Sequence, residues 1–92
     1  MIIQVVMFLG GYAFWKNINV DNEPKIGEFV TVLIPRRDVV NVSAEHMLKV
    51  ISKLAPVGEQ KIPRYEVRVT DPEAGEAFLK GIVSPDWEVK YV

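Results

Sequence analysis

The residue types that most often carry catalysis are sparse in this sequence. The one histidine, His46, follows Glu45 and lies three residues after Ser43, so a base, an acid and a nucleophile occur together. General-base catalysis needs the nucleophile within hydrogen-bond reach and an acid that orients the base. Ser43 is better placed as the N-cap of a helix that begins at this point. We therefore expect no catalytic site and no enzyme.

Metal and phosphate sites are not predicted either. The chain has no cysteine, and one histidine without cysteine cannot build the usual zinc site of three or four protein ligands. In the segment GEAFLKG, residues 75–81, Lys80 and Gly81 stand in the reverse order to that of a phosphate loop, and no G-x-G-x-x-G motif occurs. The twelve carboxylates are scattered, and their spacing selects no acid–base pair. We therefore expect no metal and no cofactor.

Four basic residues make up the one candidate anion site. Arg36 and Arg37 follow the end of a predicted strand, and Lys61 and Arg64 lie in another connecting region. If the four converge, they would grip phosphate or an acidic partner, because the guanidinium group is a planar, bidentate donor. Asp38 offsets part of this charge, and a net charge of -1 gives no overall attraction for nucleic acid. Binding of nucleic acid or an acidic ligand here is the alternative function, and a solvated loop is the favoured interpretation.

The stretch FLGGYAFWKN, residues 8–17, partly matches the RNA-recognition signature. Its Gly-Tyr-Ala-Phe run has the glycine, aromatic, small and aromatic residues in order, but the flanking basic and aromatic residues are missing. That signature belongs on the third strand of its fold, whereas this run begins about ten residues into the chain. We interpret Tyr12 and Phe14 as core residues instead.

The uncharged N-terminal stretch is too short for a membrane anchor. It contains Gln4 and ends at Lys16, whereas a spanning helix needs about 20 apolar residues. It also lacks the basic start and the small-residue cleavage site of a signal peptide. Because the chain has no cysteine and hence no disulfide, we expect a cytoplasmic protein that does not bind membranes.

The length and composition are those of one small globular protein. With 92 residues, of which 49% are apolar and 25% charged, the sequence predicts a single α+β domain over residues 1–92. A chain of this size buries about two-thirds of the surface that its unfolded form exposes, so the core is modest.

A β-hairpin is predicted at the N-terminus. Residues 2–9 and 12–20 are rich in β-branched and aromatic types, and Gly10-Gly11 between them suits a two-residue turn in which both residues have positive φ. This turn sets Leu9 opposite Tyr12 and fixes which side chains share a face. The face away from the core then holds Val6, Phe8, Ala13 and Trp15.

The remaining pattern predicts three strands and two helices. Residues 28–34 are apolar on both faces and predict a central, covered strand, while residues 64–70 and 87–92 alternate as half-buried strands. One helix is predicted from Ser43 to Ala55, where apolar residues recur at helical spacing. A second helix begins at Thr70 or Asp71, with Pro72 at its first position, and buries Ala74, Ala77 and Phe78.

The element order β-β-β-α-β-α-β predicts an α+β fold, a ferredoxin-like open two-layer sandwich with an extra N-terminal hairpin strand. Two helices cover one face of a five-stranded sheet and leave the other in contact with solvent. On that face the last two predicted strands are polar, but the first three are apolar. The fold class alone carries no function.

An uncovered apolar patch of this kind usually marks an interaction site. We therefore expect a non-enzymatic protein-interaction or regulatory module that forms a homodimer or binds a protein partner through Val6, Phe8, Ala13 and Trp15. One alternative is that residues 21–27 or 35–42 fold over the patch. A small-molecule pocket at a dimer seam is a third and weaker hypothesis.

Overall fold

The computed structural model describes residues 1–35, 43–56, 58–59, 61–80 and 87–92. These residues form six strands and one helix. The strands are β1 Ile2–Leu9, β2 Tyr12–Asn19, β3 Phe29–Pro35, β4 Ser43–Leu54, β5 Arg64–Val69 and β6 Glu88–Tyr91, and the helix is α1 Pro72–Leu79.

The predicted N-terminal hairpin is confirmed, including its register. β1 and β2 are antiparallel, and Leu9 pairs with Tyr12 next to the turn. Gly10 and Gly11 have φ angles of 58° and 81°, both in the left-handed region that glycine enters without steric cost. Two adjacent glycines therefore determine which side chains of both strands share a face.

All six strands belong to one sheet with the order β3-β4-β5-β1-β2-β6. Neighbouring strands are antiparallel except β1 and β5, which are parallel. The chain passes from β5 through α1 to β6 and crosses over β1 and β2. Since β5 and β6 run in the same direction, this crossover lays α1 against one face of the sheet, which we call the inner face.

The core lies between α1 and the inner face. The helix buries Ala74, Ala77 and Phe78, as predicted. The Phe78 ring packs edge-on against Phe14 and Trp87, with ring centroids 5.2 and 4.9 Å apart. Such aromatic pairs add about 0.5–1.5 kcal/mol each to the burial of their area. Val30, Val32 and Ile34 of β3 belong to the same buried cluster as Phe78 and Trp87, so the two strands most distant from each other, β3 and β6, border one core.

The predicted ferredoxin-like sandwich is wrong. Residues 43–54, predicted as its first helix, form β4, so the described chain is mostly sheet with one short helix instead of an α+β fold with two. β4 lies between β3 and β5 and is antiparallel to both. The strand at β5 and the helix that follows it agree with the prediction.

The prediction failed at β4 because its sequence satisfies both periodicities. The apolar set with helical spacing is Ala44, Met47, Leu48, Ile51 and Leu54. The alternating set that faces the core is Ala44, His46, Leu48 and Val50, of which Leu48 and Val50 are fully buried. A strand at this position also satisfies backbone donors and acceptors of β3 and β5, which a helix would leave unpaired.

β3 was predicted to be a central strand covered on both faces, and this is wrong. It lies at the edge of the sheet and pairs with β4 alone among the described strands. Val30, Val32 and Ile34 are buried on the inner face, as a covered strand requires, but Phe29 and Leu33 on the other face are about half exposed. Tyr12, predicted as core, is 41% exposed, whereas Phe14 is buried as predicted.

Candidate functional site

The outer face of the sheet, opposite α1, holds the four residues predicted to bind a partner. Val6 pairs with Trp15 and Phe8 with Ala13, so the predicted register brings the four together. Phe8 is 53% exposed and Trp15 is partly buried, whereas Val6 and Ala13 are 3% and 8% exposed. The accessible part of the patch is therefore Phe8 and Trp15.

A row of basic side chains crosses the outer face. Lys49 on β4 lies directly opposite Arg68 on β5, and Lys90 on β6 lies opposite Ala13. Phe29 on β3 lies opposite Lys49, at one end of the row. We call Lys49, Arg68 and Lys90 the basic row.

A second row, parallel to the first, is acidic at two strands. Glu66 on β5 is level with Val6, which pairs with Trp15, and Trp15 pairs with Glu88 on β6. The Ser52 hydroxyl donates to the Glu66 carboxylate at 3.4 Å. We call Glu66 and Glu88, with Val6 and Trp15 between them, the acidic row.

The two rows are one side-chain repeat apart along the strands, about 7 Å. Four strands therefore have one residue level with each row: Glu66 and Arg68 on β5, Val6 and Phe8 on β1, Trp15 and Ala13 on β2, and Glu88 and Lys90 on β6. On each of the two charged strands, an acid in one row has a base in the other row.

The cross-strand pair of Lys49 and Arg68 places two like charges opposite each other. Both side chains are exposed, and neither forms a salt bridge within the part of the chain that the structure describes. Like charges at directly opposed positions destabilise a sheet by roughly 0.2–1 kcal/mol. An opposite charge brought to the face by another molecule would reduce this repulsion.

Three exposed apolar side chains lie on the outer face of the β3–β4 hairpin. Phe29, Leu33 and Met47 are 48%, 58% and 53% exposed, and Met47 pairs with Thr31, which lies between the other two along β3. Met47 was not predicted on this face, because its spacing was interpreted as the buried side of a helix. The alternation of residues 44–50 was the signal that would have placed it on the outer face.

The predicted anion site is only partly described. Arg36 and Arg37 lie outside the described residues. Lys61 is exposed and has a φ of 50°. Arg64 is partly buried, where its Nε donates to the Gln4 side chain at 2.8 Å and its Nη1 to the Ala55 carbonyl at 3.2 Å. Arg64 thus joins neighbouring segments of the fold, which leaves Lys61 as the more accessible cation.

An ion-pair cluster near the inner face was not predicted from the sequence. Glu23, in the connection between β2 and β3, accepts a hydrogen bond from Lys53 at 2.8 Å and another from the Tyr65 hydroxyl. These two bonds, with Lys53 the stronger influence, hold the pKa of Glu23 below its ordinary value. The pKa of Tyr65 is raised, first by burial and then by its bond to Glu23. The cluster fastens the connection to β4 and β5.

His46 contacts Asp71, and this pair was not predicted either. The His46 Nδ1 and an Asp71 carboxylate oxygen are 3.0 Å apart, and the other oxygen of Asp71 accepts the Ala74 backbone N–H at 2.7 Å as the N-cap of α1. The Ala74 bond, then the His46 contact, lower the pKa of Asp71. The pair links β4 to the start of α1. Ser43 precedes His46 by three residues on the same strand, about 10 Å away, and its side chain is on the opposite face of the sheet.

Comparisons with known proteins give no further information about this site. No family model, no curated protein and no solved structure matches the chain. Within the described ranges, no group of three or more acidic, histidine or cysteine side chains could hold a metal ion, and no helix is long and apolar enough to cross a membrane.

Proposed function

We propose that this chain is a non-enzymatic binding module whose outer face associates with a second copy of the same chain. The observation that carries the proposal is the arrangement of the basic and acidic rows on a face that no described helix covers. In the proposed dimer the two-fold axis lies between the two outer faces, parallel to the rows and midway between them. Rotation about this axis places the basic row of one copy opposite the acidic row of the other. A two-fold interface of this kind is self-complementary.

This arrangement matches charge with charge and large side chains with small ones. Arg68 would meet the partner's Glu66, and Lys90 would meet the partner's Glu88. Phe8 would lie over the partner's Val6, and Trp15 over the partner's Ala13. The exposed aromatic side chains would leave water, and each charged pair would occur twice by symmetry.

The size of the contact indicates a weak dimer. A sheet that encloses one helix is convex on its outer side, so contact centres on β5, β1, β2 and β6. Four strands at about 4.8 Å spacing, with about six residues each, present roughly 400 Å² per copy. The total of roughly 800 Å² is below the usual size of stable complexes, so we expect a dissociation constant of about 10–100 µM.

Charge reversal tests the pairing. Arg68→Glu would place like charges together at two symmetric positions and should weaken dimerisation by about tenfold, and Glu66→Arg should do the same. The double variant restores both pairs and should recover most of the affinity. Sedimentation equilibrium or light scattering at protein concentrations from about 5 to 500 µM would measure the monomer–dimer equilibrium over the expected range.

Lys80→Glu is the control, because it makes the same change of charge on the helix side of the sheet. It should leave the dissociation constant unchanged. A strict monomer at the highest concentration would overturn the proposal, and so would a double variant that is no better than either single one. If the monomer instead binds single-stranded oligonucleotides, with an affinity that falls steeply with salt and is lost when Arg36 and Arg37 are replaced by glutamate, the alternative function is favoured.

A further inference from the structure

An open groove of about 540 Å³ separates the end of β2 from the start of β3. Its walls are the last residues of β2, the connection at residues 20–25, and the first residues of β3, including Phe29 and Thr31. This volume is within the range of sites that bind small molecules or short peptide segments. The groove is separate from the basic and acidic rows. Phe29, at the end of the basic row, is the one residue that also lines the groove.

Unpaired strand edges lie at both sides of the groove. β6 pairs with β2 only from Tyr12 to Trp15, so residues 16–19 of β2 have no described strand on that side. β3 pairs with β4 on one side and with no described strand on the other. Exposed edges of this kind are templates for the addition of an extended segment.

The hydrogen-bond pattern of β3 shows which backbone groups are free. The Val50 N–H donates to the Glu28 carbonyl at 2.8 Å and the Val50 carbonyl accepts from the Gly27 N–H at 2.8 Å, so a bulge of Gly27 and Glu28 opposite Val50 takes the place of the first hydrogen-bonded pair of the β3–β4 ladder. Such pairs alternate along antiparallel strands, with Val30 and Leu48 next in register. Phe29 and Thr31 therefore direct their N–H and C=O groups away from β4, toward the groove.

Hydrogen bonds hold the wall opposite β3 in place. Glu23 is fastened to Lys53 and Tyr65, as described above. At the entrance to β3, the Lys25 N–H donates to the Glu28 carboxylate at 2.8 Å and the Glu28 N–H donates to the Lys25 carbonyl at 3.0 Å. A preorganised groove loses less entropy when it binds a ligand than a groove that must first form.

The charge on the groove is predominantly negative. Asp21, Glu23 and Glu28 line it, against one cation, Lys25. Glu23 is compensated by Lys53, and Asp21 and Glu28 outnumber Lys25, which leaves one net negative charge to attract a basic group. We infer that the groove is a docking site for an extended peptide segment of another protein, which adds to β3 as a strand and carries lysine or arginine side chains. This mode is β-strand addition, in which backbone bonds give affinity and side chains give selectivity.

Peptide binding to the unaltered protein tests both parts of the inference. The probe is a fluorescently labelled peptide of alternating valine and lysine, about six residues long, and fluorescence anisotropy measures its affinity. The same peptide with methylated backbone nitrogens cannot donate to the β3 edge and should bind at least about tenfold more weakly. A peptide with glutamate in place of lysine should also bind at least about tenfold more weakly, because several of its charges would be reversed.

Two variants locate the site. Thr31→Pro removes one N–H that points to the groove and should reduce the affinity for the valine–lysine peptide by about tenfold, without the loss of a bond to β4. Leu33→Pro is the matched control, since its N–H also points outward but the residue lies beyond the groove. Asp21→Asn leaves the backbone unchanged and should reduce the affinity for the same peptide by about two- to fivefold.

Three results would overturn the inference. The first is no binding of the valine–lysine peptide up to about 1 mM, a limit that corresponds to a binding free energy of roughly 4 kcal/mol. The second is equal affinity for the methylated or the glutamate peptide. The third is a fall in the solution mass of the unliganded protein in Thr31→Pro but not in Leu33→Pro, which would identify a second copy of this chain as the occupant. The dimer of the outer face is tested by other residues, so either proposal can fail alone.

Discussion

The substitution Lys49→Glu should stabilise this protein if residues 43–54 form a strand and destabilise it if they form a helix. In the strand, Lys49 lies directly opposite Arg68, so the substitution converts a repulsive cross-strand pair into an attractive one. In a helix, the new carboxylate would lie one turn after Glu45, and like charges at this spacing destabilise by about 0.2–0.5 kcal/mol. The sign of the change therefore separates the two structures.

The magnitude follows from the spacing of directly opposed side chains, about 5 Å. Two unit charges at this distance interact by about 0.8 kcal/mol in water, and screening at about 0.1 M salt reduces this to about 0.5 kcal/mol. Because the substitution turns this repulsion into an attraction of equal size, the free energy of unfolding should rise by twice this amount, about 1 kcal/mol, which corresponds to a rise of about 4–8 °C in Tm. At about 1 M salt, where the Debye length is about 3 Å, the gain should fall to about 0.3 kcal/mol.

Urea denaturation followed by far-UV circular dichroism would measure the free energy of unfolding at both salt concentrations. The protein should be below about 5 µM, so that the proposed dimer does not contribute. Lys80→Glu is the control, because it removes the i,i+4 pair with Glu76 and should destabilise by about 0.3–0.5 kcal/mol. A loss of stability in Lys49→Glu, or a gain that does not depend on salt, would refute the opposition of Lys49 and Arg68.

Two further substitutions test the packing and capping of α1. Phe78→Ala should lower the free energy of unfolding by about 3–5 kcal/mol, because this ring is 1% exposed, whereas Leu79→Ala, at a side chain 54% exposed, should lower it by less than about 1 kcal/mol. Thermal unfolding would measure both, and similar losses of stability in the two variants would contradict the assignment of the buried face of α1. Asp71 has a lowered pKa in the folded protein, so its charge stabilises the fold fully above the ordinary aspartate pKa and this contribution is lost as pH falls through the folded one. Asp71→Asn keeps the cap to Ala74 without the charge, so the wild type should be more stable than this variant by less than about 1 kcal/mol, since the side chain is 40% exposed. The difference should disappear as the pH falls through the lowered pKa of Asp71, and an advantage that persists once this carboxyl is protonated would argue against a role for the charge.

The sequence predicted the elements whose geometry is set by adjacent residues. Gly10-Gly11 determined the turn, and the turn determined the pairing of Val6 with Trp15 on the outer face. Asp71 and Pro72 marked the start of α1 in the same way, since a cap and a first-turn proline act within a few residues. In both cases the information is local, so no knowledge of the rest of the chain was needed.

The elements that depend on distant partners were not predictable in this way. Residues 43–54 fit a helix and a strand equally well by pattern, and the presence of β3 and β5 as neighbours decides between them. The edge position of β3 and the strand order have the same origin. The cluster of Glu23, Lys53 and Tyr65 joins residues 30 and 42 positions apart in sequence, and no spacing rule connects such residues.

Among the described residues one helix packs on a six-stranded sheet, and this packing determines the shape of both the outer face and the groove. Strands at about 4.8 Å spacing would spread β3 and β6 about 24 Å apart in a flat sheet, whereas a helix is only about 10 Å wide. Yet Val30 on β3 and Trp87 next to β6 are both buried in the core with Phe78. The sheet must therefore curl around α1, which makes its outer face convex and brings the edge of β3 toward the end of β2. A convex face favours a small contact with a second copy, and the groove of about 540 Å³ lies between the end of β2 and the edge of β3.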